Sequence, residues 1–195
     1  MPGRIARHER AGDEGLTALG TAFGMKELIL GGARSGKSRH AEQRARLSGL
    51  DVAYVATAVA GDAEMAARIG GHRARRPPSW PTVEEPLALA ASLEANAGPG
   101  RFILVDCLTL WLSNLLAEGE EVFRRERQAL LQVLPGLPGR ICLVSNEVGQ
   151  GIVPLNPLAR RFVDEAGWLH QELAVLCDRV VWVVAGLPQV LKGAP

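Results

Sequence analysis

Residues 31–38 read Gly-Gly-Ala-Arg-Ser-Gly-Lys-Ser, and few strings of this length restrict a fold as tightly. The pattern GxxxxGK[ST] works only where a strand delivers the chain into a tight glycine turn and a helix leaves it. Successive backbone N–H groups and the positive end of the helix then converge on one anion. Both flanks comply, with a strand-like run from Glu27 to Leu30 and helical periodicity from Lys37 to Ser48. Lys37 brings a mobile positive charge to the phosphates, and Ser38 offers a hydroxyl to Mg²⁺. The chain has three lysines (Lys26, Lys37, Lys192) against nineteen arginines, so a lysine in this slot does not follow from abundance.

The strand-then-helix alternation continues along the chain, which predicts stacked βαβ units and a mostly parallel sheet. Strands are expected at Glu27 to Leu30, Val52 to Ala56, Phe102 to Val105, Ile141 to Val144 and Val180 to Val184, all apolar enough to be covered on both faces. Helices are expected at Lys37 to Ser48, Ala63 to Ile69, Leu87 to Ala95, Leu108 to Leu116, Glu121 to Leu134 and Pro157 to Cys177. A length of 195 residues suits one domain. Residues 1–24 mix charges and glycines without an apolar period and read as a disordered tail, so the domain spans 25–195.

With a net charge of +1, no global field favours a nucleic-acid backbone or an anionic membrane, so any anion site is local. No apolar stretch approaches a membrane span and the N-terminus lacks the apolar core of a secretory signal, which predicts a cytoplasmic protein. Cys107, Cys142 and Cys177 are far apart, odd in number and without CxxC pairing, as expected of reduced core thiols rather than disulfides or a zinc site.

A phosphate loop needs a second metal anchor at the end of a neighbouring strand, and Asp106 follows Phe102-Ile103-Leu104-Val105. Asp106 equally suits the start of the helical pattern from Leu108, and the two roles are compatible. Glu147, just past another strand, is a weaker candidate to face the same crevice. Between Gly70 and Pro86 the pattern breaks into glycines, arginines and prolines, too polar for a core element. Here Arg68, Arg73, Arg75 and Arg76 flank His72 with no acid from Ala66 to Val83. That cluster reads either as a phosphate clamp or as a solvated basic surface. A neutral imidazole among cations is a competent nucleophile toward phosphorus, while composition alone makes His72 a surface histidine. His8, His40 and His170 have structural or solvent roles. Trp80, Trp111, Trp168 and Trp182 read as packing residues, with Trp80 the one nearest the basic segment.

Taken together, several blocks resemble one family. They are Gly31 through Glu42, Tyr54-Val55-Ala56-Thr57-Ala58, Asp62 through Ile69, His72 to Pro77, Trp80, Thr82-Val83-Glu84, Asp106-Cys107-Leu108-Thr109 and Ser145 through Pro154. From Met25 onward the chain looks like the bifunctional adenosylcobinamide kinase / adenosylcobinamide-phosphate guanylyltransferases of cobalamin biosynthesis. The fold this implies is α/β, a P-loop NTPase (RecA-like) three-layer domain around a mostly parallel sheet. The resemblance implies phosphorylation of adenosylcobinamide by ATP or GTP, then transfer of GMP from GTP through a guanylyl-histidine, for which His72 is the candidate. Lys37 is the second catalytic residue. Nucleotide contacts carried over by position are Gly31, Gly32, Ala33, Arg34, Ser35, Gly36, Lys37, Ser38, Ala56, Thr57, Ala58, Arg73, Ala74, Arg75, Arg76, Glu84 and Asp106. Ser38 and Asp106 are the expected Mg²⁺ ligands, and a homotrimer the expected assembly.

A small-molecule kinase without guanylyl transfer needs Lys37 but not His72 and stays open as the alternative. A GTP-dependent switch is disfavoured, since no NKxD-type motif occurs and the end of the Asp106 strand reads Asp106-Cys107-Leu108-Thr109 rather than DxxG. One Tyr and four Phe leave little to stack on nucleic-acid bases.

Overall fold

The computed structural model describes residues 24–59, 70–71, 73 and 76–194. Among the described residues, seven strands form one sheet in the order β3-β2-β4-β5-β1-β6-β7. They are β1 (Lys26–Gly31), β2 (Asp51–Ala56), β3 (Thr82–Glu84), β4 (Arg101–Asp106), β5 (Arg140–Asn146), β6 (Arg179–Val184) and β7 (Leu187–Lys192). β1 to β6 pair in parallel, and only β7 runs antiparallel to its neighbour.

All five predicted strands are present, and the sheet gains two edge strands beyond them. β3 lies within the stretch expected to hold no core element; its three residues are partly exposed and pair only with β2. β7 is reached through Ala185 and Gly186, both at positive φ (51 and 80), the backbone of a two-residue hairpin turn. Pro188 suits this outer strand, where a missing N–H costs no central ladder bond.

The helices are α1 (Lys37–Leu47), α2 (Leu89–Asn96), α3 (Leu108–Glu118), α4 (Glu120–Val133) and α5 (Pro157–Leu176). These match the expected helices within two residues at each end, while Ala63 to Ile69 and the tail to residue 23 lie outside the described residues. Local chemistry starts two of them. Asn156 accepts from Leu158 N and Ala159 N at 2.8 and 3.2 Å ahead of Pro157 in α5. Glu85 Oε1 accepts from Leu87 N and Ala88 N at 3.0 and 2.7 Å just before α2.

Strand alternation sorts the core into two layers. Leu28, Val55, Ile103, Val105 and Leu143 face α2 to α5, with Trp111 fully buried among them. Ile29, Tyr54, Leu104, Val144 and Val181 face α1 through Ala41 and Ala45, and Trp80 packs on this side. Trp168, expected to pack, is instead largely exposed. Buried Glu27 of β1 pairs with Arg44 of α1 (3.2 Å) and Arg179 of β6 (2.9 Å), locking α1 across the sheet. The result is a three-layer α/β domain whose strands all point their carboxyl ends, apart from β7, toward the phosphate loop.

Candidate nucleotide site

The phosphate loop is built by backbone conformation. Arg34 and Gly36 take positive φ (57 and 97), and Ser35 N donates to Gly32 O at 3.2 Å. Glycine at 31 is a steric requirement: a Cβ there would lie 2.5 Å from both Ser35 Oγ and Val183 O. The turn between β6 and β7 buttresses the loop from outside, with Gly186 N donating to Ser35 O at 2.8 Å. Lys37 is buried, and its Nζ donates to Gly32 O at 3.2 Å, so the ammonium arches back over the loop. α1 begins here with its free N–H groups directed at the same concavity.

The loop forms one wall of a cleft of about 610 Å³. Its lining brings together Ala33, Arg34, Ser35, Gly36, Lys37, Ser38, Ala56, Ala58, Arg76 and Asp106 from the expected set. Gly71, the neighbour of His72, also lines it. Tyr54, Asn146, Cys107, Leu110 and Arg39 complete the wall and were not among the expected contacts.

Asp106, at the end of β4, accepts a hydrogen bond on Oδ2 from Tyr54 Oη at 3.0 Å. The Arg76 guanidinium lies 3.5 Å over the Tyr54 ring and donates to Thr82 Oγ1 at 3.4 Å. A continuous chain thus runs from the basic segment through the phenol to the carboxylate. Burial, reinforced by the Asp106 charge, pushes the Tyr54 phenol far above its ordinary range, so it remains a donor.

Three expectations change. Thr57 does not line the cleft: it is fully buried, its Oγ1 donating to Cys107 O (2.7 Å) and accepting from Cys107 N (3.0 Å). It pins the end of β2 to the end of β4, because alternation sends it away from the face that Tyr54 and Ala56 share. Glu84 is exposed at the tip of β3, level with Ala56 but outside the lining. Glu147 turns away, Oε1 accepting from Gly149 N (2.7 Å) and Oε2 lying 3.9 Å from His170 Nδ1, and the residue before it faces the cleft instead. Gly31 and Gly32 shape the loop without lining the cleft, and Arg73 is exposed. His72, Ala74 and Arg75 lie outside the described residues.

Ser38 and Asp106 present a hydroxyl and a carboxylate to one cleft, a hard-oxygen pair that fits Mg²⁺, which takes few protein ligands and fills its shell with water and phosphate oxygens. No cluster of three or more His, Cys, Asp or Glu side chains suited to a metal occurs among the described residues, so softer metals have no ready cage there. The three cysteines are free and buried as expected; burial raises all three thiols, Cys177 to about 12, which keeps them protonated.

Comparison with known proteins agrees with this geometry. The model of the family described as "Cobinamide kinase / cobinamide phosphate guanyltransferase" matches residues 27–191. The bifunctional adenosylcobalamin biosynthesis protein CobP of Pseudomonas aeruginosa is 63% identical over 172 residues, covering 88% of this chain and 99% of the relative. The bifunctional adenosylcobalamin biosynthesis protein CobU of Escherichia coli is 40% identical over 182 residues, covering 86% and 100%. Among solved structures, a prototypical ATPase from a bacterial type III secretion system superposes with a TM-score of 0.50 at 14% identity. That match covers 86% of this chain and 58% of the ATPase, and at such identity it shows the shared P-loop fold alone.

Proposed function

This chain belongs to the cobinamide kinase / cobinamide phosphate guanyltransferase family, and from that premise we propose how its residues divide two reactions of cobalamin biosynthesis. The first phosphorylates adenosylcobinamide with ATP or GTP; the second transfers GMP from GTP to adenosylcobinamide phosphate, giving adenosyl-GDP-cobinamide and pyrophosphate. The observation that carries this reading is a single cleft lined by the phosphate loop, by Asp106, and by Gly71 and Arg76 from either end of the segment holding His72.

In the kinase step the loop N–H groups and Lys37 grip the β- and γ-phosphates while the substrate hydroxyl oxygen bonds to the γ-phosphorus and the β–γ bridge breaks. When bound between Ser38 and Asp106, Mg²⁺ would offset charge on those phosphates. Tyr54 orients the Asp106 carboxylate for that task. In the guanylyl step neutral His72 attacks the α-phosphorus, pyrophosphate departs toward the arginines, and the substrate phosphate then takes GMP and frees the imidazole. Arg73, Arg75 and Arg76 are the leaving-group clamp in this reading, and Arg76 anchors the segment through Tyr54.

A homotrimer in the cytoplasm belongs to the same reading. Exposed Ile152, Val153, Leu155 and Leu158 supply apolar surface that an assembled form would cover. No helix among the described residues is long and apolar enough to cross a membrane.

Incubation with Mg²⁺ and GTP labelled at the α-phosphate, followed by denaturation and peptide mass mapping, tests the covalent step. An acid-labile GMP adduct on the His72 peptide, absent from His72→Ala, is expected. GTP-binding protein that forms no adduct while phosphorylating adenosylcobinamide would leave a kinase alone.

A further inference from the structure

Strand order places β5 between β4, which ends in Asp106, and β1, which runs into the phosphate loop. A polar group at the carboxyl end of β5 therefore stands between the two anchors of a bound triphosphate. The residue there is Asn146, opposite Gly31 in the β1–β5 register, and it lines the cleft with Lys37, Ser38 and Asp106.

Its orientation is held from three sides. Asn146 Nδ2 donates to Thr109 Oγ1 at 2.7 Å, and Thr109 is itself buried in the first turn of α3, 3.1 Å from Cys107 Sγ. On one side, fully buried Ser145 points the other way and bonds His170 Nε2 at 2.7 Å. On the other, Glu147 N donates to Gly31 O at 3.0 Å, stitching the end of β5 to the phosphate loop. The same Nδ2 makes a longer contact with Cys107 Sγ at 3.9 Å, and because that sulfur sits 3.1 Å from Thr109 Oγ1 both acceptors lie on one side of the amide. The second N–H and the carbonyl oxygen point away from that side, and a donor already aimed costs no reorganisation when charge develops.

We infer that Asn146 is a further catalytic residue of the phosphoryl-transfer step, its second N–H bonding an oxygen of the terminal phosphoryl group. This rests on the kinase reading above. As the alcohol oxygen bonds to the γ-phosphorus, the bridging P–O bond breaks and its electron pair leaves with the nucleoside diphosphate. The alcohol proton passes to water. Asn146 is neither ionised nor consumed; it holds the transferring group between Lys37 and Asp106.

The test compares wild type, Asn146→Ala and Asn146→Asp, using adenosylcobinamide phosphorylation and the affinities for GDP and a non-hydrolysable GTP analogue. Asn146→Ala is expected to lower kcat by about 100-fold. It should also weaken the analogue about tenfold while leaving GDP within about threefold, the signature of a lost contact to the γ-phosphate. Asn146→Asp preserves shape and the Thr109 contact, so it guards against loosening of the strand end, and its charge should penalise the analogue more than GDP. An unchanged ratio of analogue to GDP affinity in both variants overturns the inference, as does wild-type kcat in either. If wild type itself fails to phosphorylate adenosylcobinamide, the kinase reading falls, and the affinity ratio still decides whether Asn146 touches the γ-phosphate.

Discussion

The phosphate loop and the basic segment from Gly70 to Glu84 both carry anion chemistry, but they are held in place by different physics. The loop takes its shape locally: two positive-φ residues, a Ser35 N–H bonded to Gly32 O and a lysine bonded to the same carbonyl form it within eight residues, and the β6–β7 turn only braces it from outside. The described part of the basic segment from Arg76 onward is positioned by distant partners. Arg76 is buried because it stacks on Tyr54 of β2, and Thr82 pairs opposite Tyr54 in the sheet. A pattern of consecutive residues can specify the first kind of site. The second depends on which strand lies next door.

This contrast is broken most directly by Lys37→Ala set beside His72→Ala. Loss of Lys37 should cut phosphoryl transfer by about 1,000-fold, since a charged donor at the phosphates is removed. It should also depress formation of the GMP adduct, because both reactions use the same cleft. His72→Ala should abolish the adduct and leave adenosylcobinamide phosphorylation close to wild type. Steady-state kinase rates and adduct mass spectra on the two variants read this out, and equal loss of phosphorylation in both would merge the two sites into one catalytic unit.

Thr57→Val separates framework from binding at the cleft margin. The change keeps shape but removes both hydrogen bonds to Cys107, leaving its buried N–H unpaired and its carbonyl with the Trp111 N–H alone at 3.2 Å. We expect a loss of about 2 kcal/mol in chemical denaturation, with nucleotide affinity unaltered. Reduced affinity at unaltered stability would restore Thr57 to the nucleotide contacts.

The reason Thr57 looked like a contact is instructive. The five inner strands are legible because each is apolar along its length, and strands buried on both faces must be so. The phosphate loop and Asp106 are legible because each sits directly at a strand end. Side-chain parity at those ends is not: Tyr54 and Ala56 face the cleft while Thr57 and Glu147 point elsewhere, and a one-residue difference separates Asn146 from Glu147. The edge strands are not legible because β3 has three residues and β7 contains Pro188, so neither has an apolar signature. Their roles are tertiary, one lying beside Tyr54 and the other delivering Gly186 to the phosphate loop.

Arg76→Lys sharpens the comparison with a smaller effect. Lysine keeps the charge but loses the flat stacking on Tyr54, so stability should fall by about 1 kcal/mol. If the clamp reading holds, the adduct should form more slowly while phosphorylation changes little. Parallel slowing of both reactions would mean that the chain from Arg76 through Tyr54 serves Asp106 rather than the His72 segment.

His170 offers the mildest test, at a position remote from both anion sites yet behind the end of β5. It is packed in α5 against Ser145 and faces Glu147; burial lowers its pKa from 6.5, and the Glu147 charge offsets that only in part. The imidazole is therefore neutral in the fold, and the unfolded chain takes up its proton more readily. Stability from this group is complete above about pH 6.5 and is lost as pH falls toward the depressed folded value. Half-buried His40 shifts in the same direction and adds to the trend. His170→Gln should flatten the decline in denaturation midpoint between about pH 7 and pH 5.5 relative to wild type, while lowering the midpoint at neutral pH by removing the Ser145 bond. If the slope is unchanged, His170 already carries its proton in the fold, and the end of β5 would be held by an ion pair with Glu147 rather than by a neutral hydrogen bond.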